Sequence, residues 1–202
     1  PIFIDLAEQR GLITPIGDWV LATACRQAAA WNRNGRAALP VSVNISPVQM
    51  RKGRLRESVL RALNESGLAP SLLALEITES AVMEDITSAA RLLDDLHAIG
   101  VQIEIDDFGT GHSSLAYLKQ LPIQRLKVDR SFIRDIPGDP DDTAIVEAII
   151  SLATSLKIGI IAEGVETDEQ RTFLLARGCR AMQGYRFAHP ESPEAFEKRL
   201  AG

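Results

Sequence analysis

The strongest candidate for chemistry is a pair of adjacent carboxylates at the end of a predicted strand. The stretch 101–114, VQIEIDDFGTGHSS, begins with the alternation of apolar and polar residues that is typical of a strand, and Asp106 and Asp107 lie where a glycine-bearing loop takes over. In α/β barrels and open α/β sheets, reactive groups collect at the carboxyl ends of the strands. Such a pair alone is more often a solvated turn, so a functional site needs further residues of the same chemistry.

Other predicted strands supply those residues, because they carry polar side chains at alternating positions that share one face. This polar set consists of Ser42, Asn44, Ser46, Glu76, Thr78, Gln102, Glu104, Asp106, Lys127, Asp129, Glu163 and Gln183. Carboxylate and amide oxygens suit Mg²⁺ or Mn²⁺, and a set without Cys and His is poor for zinc. Two such ions about 3.5 to 4 Å apart form the usual clamp for hydrolysing a phosphate ester. The set therefore predicts metal-assisted phosphoester chemistry.

Six predicted strands alternate with helices, which indicates parallel strands joined by helical crossovers. The polar face favours a barrel over an open sheet, since polar side chains can line its lumen while Val, Ile and Leu pack against outer helices. A (β/α)8 barrel needs eight strands. We therefore predict an α/β fold, a TIM-like (β/α)8 barrel with the first two strands missing from these residues. On this interpretation 1–202 is one domain, truncated at its N-terminus before the first helix.

Composition excludes several classes of protein. The chain has 202 residues, 46% of them hydrophobic and 24% charged, and a formal net charge of -5, which disfavours a protein that neutralises the phosphates of DNA or RNA. Cys25 and Cys179 show no CxxC spacing and are expected to be buried, reduced thiols. No apolar run approaches the roughly 20 residues that span a bilayer. A cytoplasmic domain is expected, and a membrane anchor elsewhere in a longer parent protein stays open.

Individual side chains carry further expectations. Thr14, followed by Pro15, is predicted to cap the second helix, and the apolar spacing places Trp19 and Trp31 on the packing face of that helix. Glu104 precedes Asp106 by two positions and should point into the same lumen, where a carboxylate must be paired or protonated. Contact of Glu104 with Lys127 or Arg125 is therefore predicted.

The motifs resemble those of a known family. The segments VNIS (43–46), LEITES (75–80), DDFGTGHSS (106–114), LKVDRSF (126–132), AEGVET (162–167) and QGYRF (183–187) are similar, in order and spacing, to those of the EAL domain family of cyclic di-GMP phosphodiesterases. The resemblance covers essentially the whole chain. It implies a TIM-like barrel that hydrolyses cyclic di-GMP to linear pGpG in bacterial second-messenger signalling, with two Mg²⁺ or Mn²⁺ ions.

The resemblance also implies roles for single residues. The matching metal ligands are Asn44, Glu76, Asp106, Asp107 and Glu163. Lys127 matches the lysine that helps to hold and activate the attacking water, and Glu163 is assigned to catalysis as well. Glu79 matches a glutamate that steadies the loop after the aspartate pair, while Glu166 and Gln183 match polar residues that line the mouth. The loop 108–114 matches a segment that couples dimerisation to metal binding, which implies a homodimer, and regulatory domains are expected elsewhere in the parent protein.

Three departures from the family pattern are evident. The Glu-Ala-Leu signature, whose glutamate is a metal ligand in the family, does not occur in these residues and would lie on one of the two missing strands. His112 stands where the family usually has Tyr, and Glu104 where it usually has a small residue. Two alternatives stay open: a catalytically inactive EAL module that acts as a cyclic di-GMP receptor or protein-interaction domain, and a metal-dependent barrel enzyme with another phosphoester substrate.

Overall fold

Six parallel strands form the framework of the computed structural model, which describes residues 2–33, 38–111 and 118–201. The strands are β1 (Val41–Ile45), β2 (Leu73–Thr78), β3 (Gln102–Phe108), β4 (Arg125–Val128), β5 (Gly159–Ala162) and β6 (Ala181–Met182). Their order in the sheet is their order along the chain. This parallel half-barrel with intervening helices confirms the predicted α/β class and the six strands.

Helices precede, separate and follow the strands. They are α1 (Ile2–Gln9), α2 (Ile13–Asn32), α3 (Pro47–Arg51), α4 (Leu55–Ser66), α5 (Glu79–Glu84), α6 (Ile86–Ile99), α7 (Arg130–Ile133), α8 (Pro140–Leu156), α9 (Asp168–Ala176) and α10 (Pro193–Ala201), with a 3₁₀ turn at Pro70–Leu72. None of the helices in the described ranges is long and apolar enough to cross a membrane.

The chain divides into two compact units. The first contains Pro1–Ile103 with Gln120–Pro122, and the second contains Glu104–Lys119 with Ile123–Gly202. In the first unit β1 pairs with β2, and α2 packs against α4 and β1. In the second unit β4 pairs with β3 on one side and β5 on the other, and β6 pairs with β5.

Helix boundaries follow the capping residues. Helix α4 ends at Gly67 and α6 ends at Gly100, and both glycines adopt the left-handed conformation of a C-cap. Asp85 caps α6 by accepting a hydrogen bond of 3.1 Å from the Ser88 amide, and Asp139 caps α8 by accepting from the Asp141 and Asp142 amides. Local side-chain chemistry therefore determines these ends.

Two expectations for α2 are wrong. The helix begins at Ile13, so Thr14 lies inside its first turn and does not cap it. Trp19 is 66% exposed, because the helix buries the face that carries Leu21, Cys25 and Ala28. The small side chains of Cys25 and Ala28 on that face suit close packing against β1 and α4, whereas Trp19 and Val20 lie on the exposed side. Cys25 and Cys179 are free and buried, as predicted.

Strand β3 contains an irregularity where the aspartate pair lies. Glu104 pairs in register with Arg125 and Ile105 with Leu126, but the next pair is Phe108 with Val128. Two residues of β3 therefore lie opposite one residue of β4, which is the arrangement of a β-bulge. The bulge consists of Asp106 and Asp107.

Candidate functional site

A buried lysine links the carboxyl ends of two strands in the second unit. Lys127, on β4, is 3% exposed. Its Nζ lies 3.2 Å from Asp106 Oδ1 and 2.7 Å from Glu163 Oε1. Glu163 directly follows β5, and its amide donates to the Val128 carbonyl at 3.1 Å, which fixes it beside the end of β4. The structure thus brings Lys127, Asp106 and Glu163 together, and the inward position predicted for Lys127 is confirmed.

The bulge explains how two consecutive aspartates reach the same edge. In a regular strand Asp106 and Asp107 would point to opposite faces. Asp107 instead has a positive φ of 53°, a conformation that Asp tolerates better than most residues. Its carbonyl accepts a hydrogen bond of 2.8 Å from the Thr110 hydroxyl, and its amide donates to Asp106 Oδ1 at 3.0 Å. These contacts hold the turned backbone in place.

Negative charge is concentrated around Asp107. The pKa of its carboxyl group is raised above the ordinary 3.8, first by desolvation and then by the charges of Asp106 and Asp129, and Lys127 offsets part of this rise. A hydrogen bond with Asp129 also favours the protonated form. The repulsion among these neighbouring carboxylates is reduced when a proton or a cation binds to them. The cluster therefore fits the donor chemistry of a divalent metal.

Asp129 is a charged neighbour of Asp107 that the predicted site omits. It caps α7 by accepting a hydrogen bond of 2.9 Å from the Ser131 amide. Burial acts to raise the pKa of Asp129, but the hydrogen bonds from Ser131 and Arg130 outweigh it and the pKa is lowered. Asp129 therefore stays charged beside Asp107. Asp129 lies two residues after Lys127, so strand alternation already placed it on the same polar face. This alternation was the signal in the sequence that could have identified Asp129.

The loops after β5 and β6 are joined through their backbones. The Val165 amide donates to the Gln183 carbonyl, and the Arg186 amide donates to the Val165 carbonyl, both at 3.0 Å. A side chain at Gly184 would meet the Val165 backbone, since a Cβ there would lie 2.2 Å from the carbonyl oxygen. Gln183 and Glu166 are both exposed on these joined loops.

The first unit carries the remaining predicted ligands. Asn44 on β1 and Glu76 on β2 are neighbours in register near the carboxyl ends of their strands. Asn44 is exposed, whereas Glu76 is 7% exposed. Glu79 begins α5 directly after β2 and is 2% exposed. Glu76 and Glu79 both have interaction partners, as a buried carboxylate requires.

Two predictions stay untested by these contacts. Within residues 2–33, 38–111 and 118–201, no three His, Cys, Asp or Glu side chains form a ready-made metal-binding group, so the two-ion site stays a prediction. His112 and the last residues of the loop 108–114 lie outside the described residues. The loop is described as far as Gly111.

The predicted pairing of Glu104 is confirmed. Glu104 is 1% exposed, and its Oε1 lies 2.5 Å from Arg125 Nη1. The two residues are register neighbours on β3 and β4. The structure therefore shows Arg125 as a partner of Glu104 and places this ion pair two residues before Asp106 and Lys127 on the same strands.

Comparison with known proteins gives consistent matches. The family model of the EAL domain matches residues 1–190 of this chain. Over 199 residues the chain is 48% identical to the bifunctional diguanylate cyclase/cyclic di-GMP phosphodiesterase MucR of Pseudomonas aeruginosa, covering 98% of this chain and 29% of MucR. It is 46% identical over 198 residues to the cyclic di-GMP phosphodiesterase NbdA of the same species, covering 98% of this chain and 25% of NbdA. The chain thus spans less than a third of the length of these two relatives.

Solved structures also match the chain. A structure described as the PaMucR phosphodiesterase in complex with c-di-GMP has a TM-score of 0.93 and 47% identity, covering 96% of this chain and 78% of that chain. A manganese and cyclic di-GMP complex of Klebsiella pneumoniae BlrP1 has a TM-score of 0.75 and 30% identity, covering 88% of this chain and 45% of that chain.

Proposed function

Because the chain belongs to the EAL domain family, we propose that it hydrolyses cyclic di-GMP to linear pGpG as the catalytic domain of a bacterial signalling protein. The observation that carries this proposal is the buried Lys127 held between Asp106 and Glu163 at the carboxyl ends of the strands. The names of MucR and NbdA as cyclic di-GMP phosphodiesterases support the choice of substrate.

We propose two divalent cations, Mg²⁺ or Mn²⁺, as cofactors. The residues fit such ions, since Asp106, Asp107 and Asp129 crowd negative charge at the carboxyl ends of β3 and β4, and desolvation followed by the charges of Asp106 and Asp129 raises the pKa of Asp107. Asn44, Glu76, Asp106, Asp107 and Glu163 would hold the ions, by resemblance to the family. When bound, divalent cations polarise a scissile phosphate and lower the pKa of a bound water. The manganese in the BlrP1 structure belongs to that protein and supports the proposal by similarity.

Lys127 is proposed to position the attacking water and the phosphate. Its ammonium group has three donors and lies within ion-pair distance of both Asp106 and Glu163, which fix its position. A group fixed in this way needs little reorganisation when charge develops, which is the basis of electrostatic catalysis in an enclosed site. Glu163, which is only partly buried, can accept a hydrogen bond from the water on the exposed side of the same pair. Together they orient the water for attack on the phosphorus.

Three further residues are proposed to shape the mouth of the site. Gln183 and Glu166 are exposed on the joined loops after β6 and β5 and would contact the substrate or its water shell. Glu79, buried at the start of α5, would steady the loop that follows the aspartate pair. These three roles rest on the family motifs.

The test is hydrolysis by the intact protein that carries this chain. Incubation with cyclic di-GMP and Mg²⁺ or Mn²⁺, followed by chromatography, should yield pGpG, and Asp106→Ala should abolish the product because it removes a carboxylate that contacts Lys127. Asp95→Ala, at an exposed position of α6, is the matched control and should keep the parent rate. Binding of cyclic di-GMP without product would favour the receptor alternative. Turnover by Asp106→Ala within a few-fold of the parent would refute the site.

Several whole-protein properties belong to the same proposal. We propose that residues 1–202 act as one EAL domain, that the intact protein forms a homodimer through the region of the loop 108–114, and that regulatory domains lie elsewhere in it. The length of the relatives supports additional domains, since this chain corresponds to 29% of MucR. The cytoplasmic location predicted from the sequence stays a prediction.

A further inference from the structure

A second acid–base pair lies directly before the first on β3 and β4. Glu104 and Arg125 are register neighbours, and their ion pair is 2.5 Å long. Each lies two residues before a member of the Asp106–Lys127 pair, so all four side chains leave the same face of their strands. The face therefore carries two stacked layers of ion pairs, with Glu104 almost completely buried and Arg125 reaching partly to solvent.

Strand β5 leaves room for this second pair. Gly159 is the register neighbour of Arg125. A Cβ on Gly159 would lie 3.1 Å from Arg125 Cγ and 3.2 Å from the Gln124 carbonyl oxygen, closer than ordinary van der Waals contact. The missing side chain thus leaves room for the stem of Arg125 on the side of β4 that faces β5.

The cations of the two layers can compete for the same carboxylate. Side chains at diagonal positions of neighbouring strands are about 7 to 8 Å apart at their Cα atoms, which long side chains can bridge. Lys127 is diagonal to Glu104, so its ammonium group can reach the Glu104 carboxylate as well as Asp106. A buried carboxylate that loses a cation attracts a replacement strongly. Arginine holds its charge at all pH values and matches a carboxylate with its planar fork, which makes it the stronger partner for Glu104.

We propose that Arg125 is a positioning residue: by holding Glu104, it keeps Lys127 directed towards Asp106 and Glu163. The catalytic meaning of this arrangement rests on the proposed function, whereas the arrangement itself does not. Without Arg125, Lys127 turns towards Glu104 and gives up its contact with Glu163. With both Arg125 and Glu104 neutral, the negative charge of Glu104 no longer draws Lys127 away.

The first test is structural and needs no activity. In crystal structures of the intact protein, Arg125→Met should move Lys127 Nζ beyond 4 Å, the limit of an ion pair, from Glu163, and the double variant Arg125→Met with Glu104→Gln should restore the contact. Glu104→Gln alone should leave Lys127 in place, because Arg125 already reaches partly to solvent and can hydrate its charge. Lys127 still bound to Glu163 in Arg125→Met would overturn the proposal.

A second variant covers the case in which Arg125→Met does not fold. Arg125→Gln removes the positive charge but keeps a polar side chain at a position that reaches partly to solvent, so it should displace Lys127 in the same direction. Combination with Glu104→Gln should reverse the displacement. An unmoved Lys127 in a folded Arg125→Gln variant would equally overturn the proposal.

Kinetics provide the second test. Arg125→Met should lower kcat roughly ten- to a hundredfold, as expected for a misplaced catalytic group, with KM changed less than about threefold, and the double variant should recover most of the rate. The matched control removes the ion pair between Arg177 and Glu147, 2.6 Å long and also in the second unit, and should leave kcat unchanged. Equal loss in the single and double variants would show a merely structural role and refute positioning. A parent protein without hydrolysis would refute the proposed function, and the position of Lys127 would still decide this inference.

Discussion

At the scale of single residues, the sequence predicted side-chain types and faces better than conformations. Alternation along β4 correctly placed Lys127 inside, and burial chemistry correctly demanded a partner for Glu104. The positive φ of Asp107 was not predictable, because nothing in the residues IDDF distinguishes a regular strand from a bulged one. The role of Asp129 was missed for a related reason, since its contact with Asp107 depends on that bulge.

Lys127 provides the first residue-scale prediction. Lys127→Met keeps most of the length of the side chain but removes the ammonium group that faces Asp106 and Glu163. We expect kcat to fall at least about a hundredfold, as when an oriented donor is removed from an enclosed site, while binding of cyclic di-GMP persists. Rates and calorimetric binding of the intact protein measure the two effects. Lys119→Met, at an exposed position of the same unit, is the control, and wild-type rates in Lys127→Met would contradict the proposed role.

Asp107 provides a prediction about pH. Its pKa in the folded state is raised, so its contribution to stability is present below the ordinary pKa of 3.8 and is lost as the pH rises through the raised value. At neutral pH without divalent metal, Asp107→Asn should therefore raise the Tm, by on the order of 1 °C because solvent screens a partly exposed group. Thermal unfolding in a chelating buffer at pH 7 and pH 4 measures this.

The control for Asp107→Asn is Asp95→Asn on the exposed face of α6, which should leave Tm unchanged at both pH values. The gain in Asp107→Asn should shrink at pH 4, because the raised pKa means that the wild-type carboxyl group takes up a proton more readily as the pH falls. A lower Tm than the parent at pH 7 would show that the charge of Asp107 stabilises the metal-free fold, contrary to this expectation.

At the scale of secondary structure, capping residues made the helix ends predictable. Gly67, Gly100 and Asp85 act locally, so their effect on α4 and α6 is visible without the fold. The packing face of α2 was not predictable in the same way. Several apolar stripes exist on that helix, and the buried stripe, with Leu21, Cys25 and Ala28, is determined by the elements that pack against it.

Gly184 provides the prediction at this scale. Gly184→Ala would place a Cβ 2.2 Å from the Val165 carbonyl oxygen and 2.4 Å from its amide nitrogen, so the loops after β5 and β6 must separate. We expect a loss of more than about 2 kcal/mol in the free energy of unfolding, within the range for severe backbone clashes, and loss of hydrolysis because Gln183 and Glu166 move. Denaturant unfolding and pGpG formation are the measurements.

Gly178→Ala is the matched control for Gly184→Ala. Its Cβ would meet nothing within 4 Å, and its φ of 86° carries only the strain of a positive φ. It should therefore cost less than Gly184→Ala and should leave turnover unchanged in the folded protein. Equal destabilisation by the two substitutions would show that the contact with Val165 is unimportant.

At the scale of the whole molecule, the sequence predicted the alternation of strands and helices and therefore the parallel half-barrel. It could not predict the pairing of Lys127 with both Asp106 and Glu163, because contacts among three strands depend on tilt and register. The activity and regulation of the whole protein cannot be inferred from this chain, since the chain represents only a part of the length of its relatives.

Metal binding provides the prediction at this scale. Saturation with Mn²⁺ at about a hundred times its Kd should stabilise the domain by about 2.7 kcal/mol, since the ions bind the folded state alone, and should raise its Tm by roughly 5 to 10 °C. Asp106→Ala should lose most of this rise, while Asp95→Ala should keep it. Thermal unfolding with and without chelator measures the shift. A full response in Asp106→Ala would exclude this aspartate as a ligand.

The bulge in β3 has a consequence for how chains of this kind diverge. Removal of one residue between Ile105 and Phe108 would restore the regular register with β4, and alternation would then leave only one carboxylate at the strand end. Every helix, cap and glycine would be retained, so an alignment would record only a one-residue gap. A relative with this gap is expected to keep the fold but to have lost hydrolysis. For annotation of such genes, the spacing within this strand is therefore more informative than overall identity.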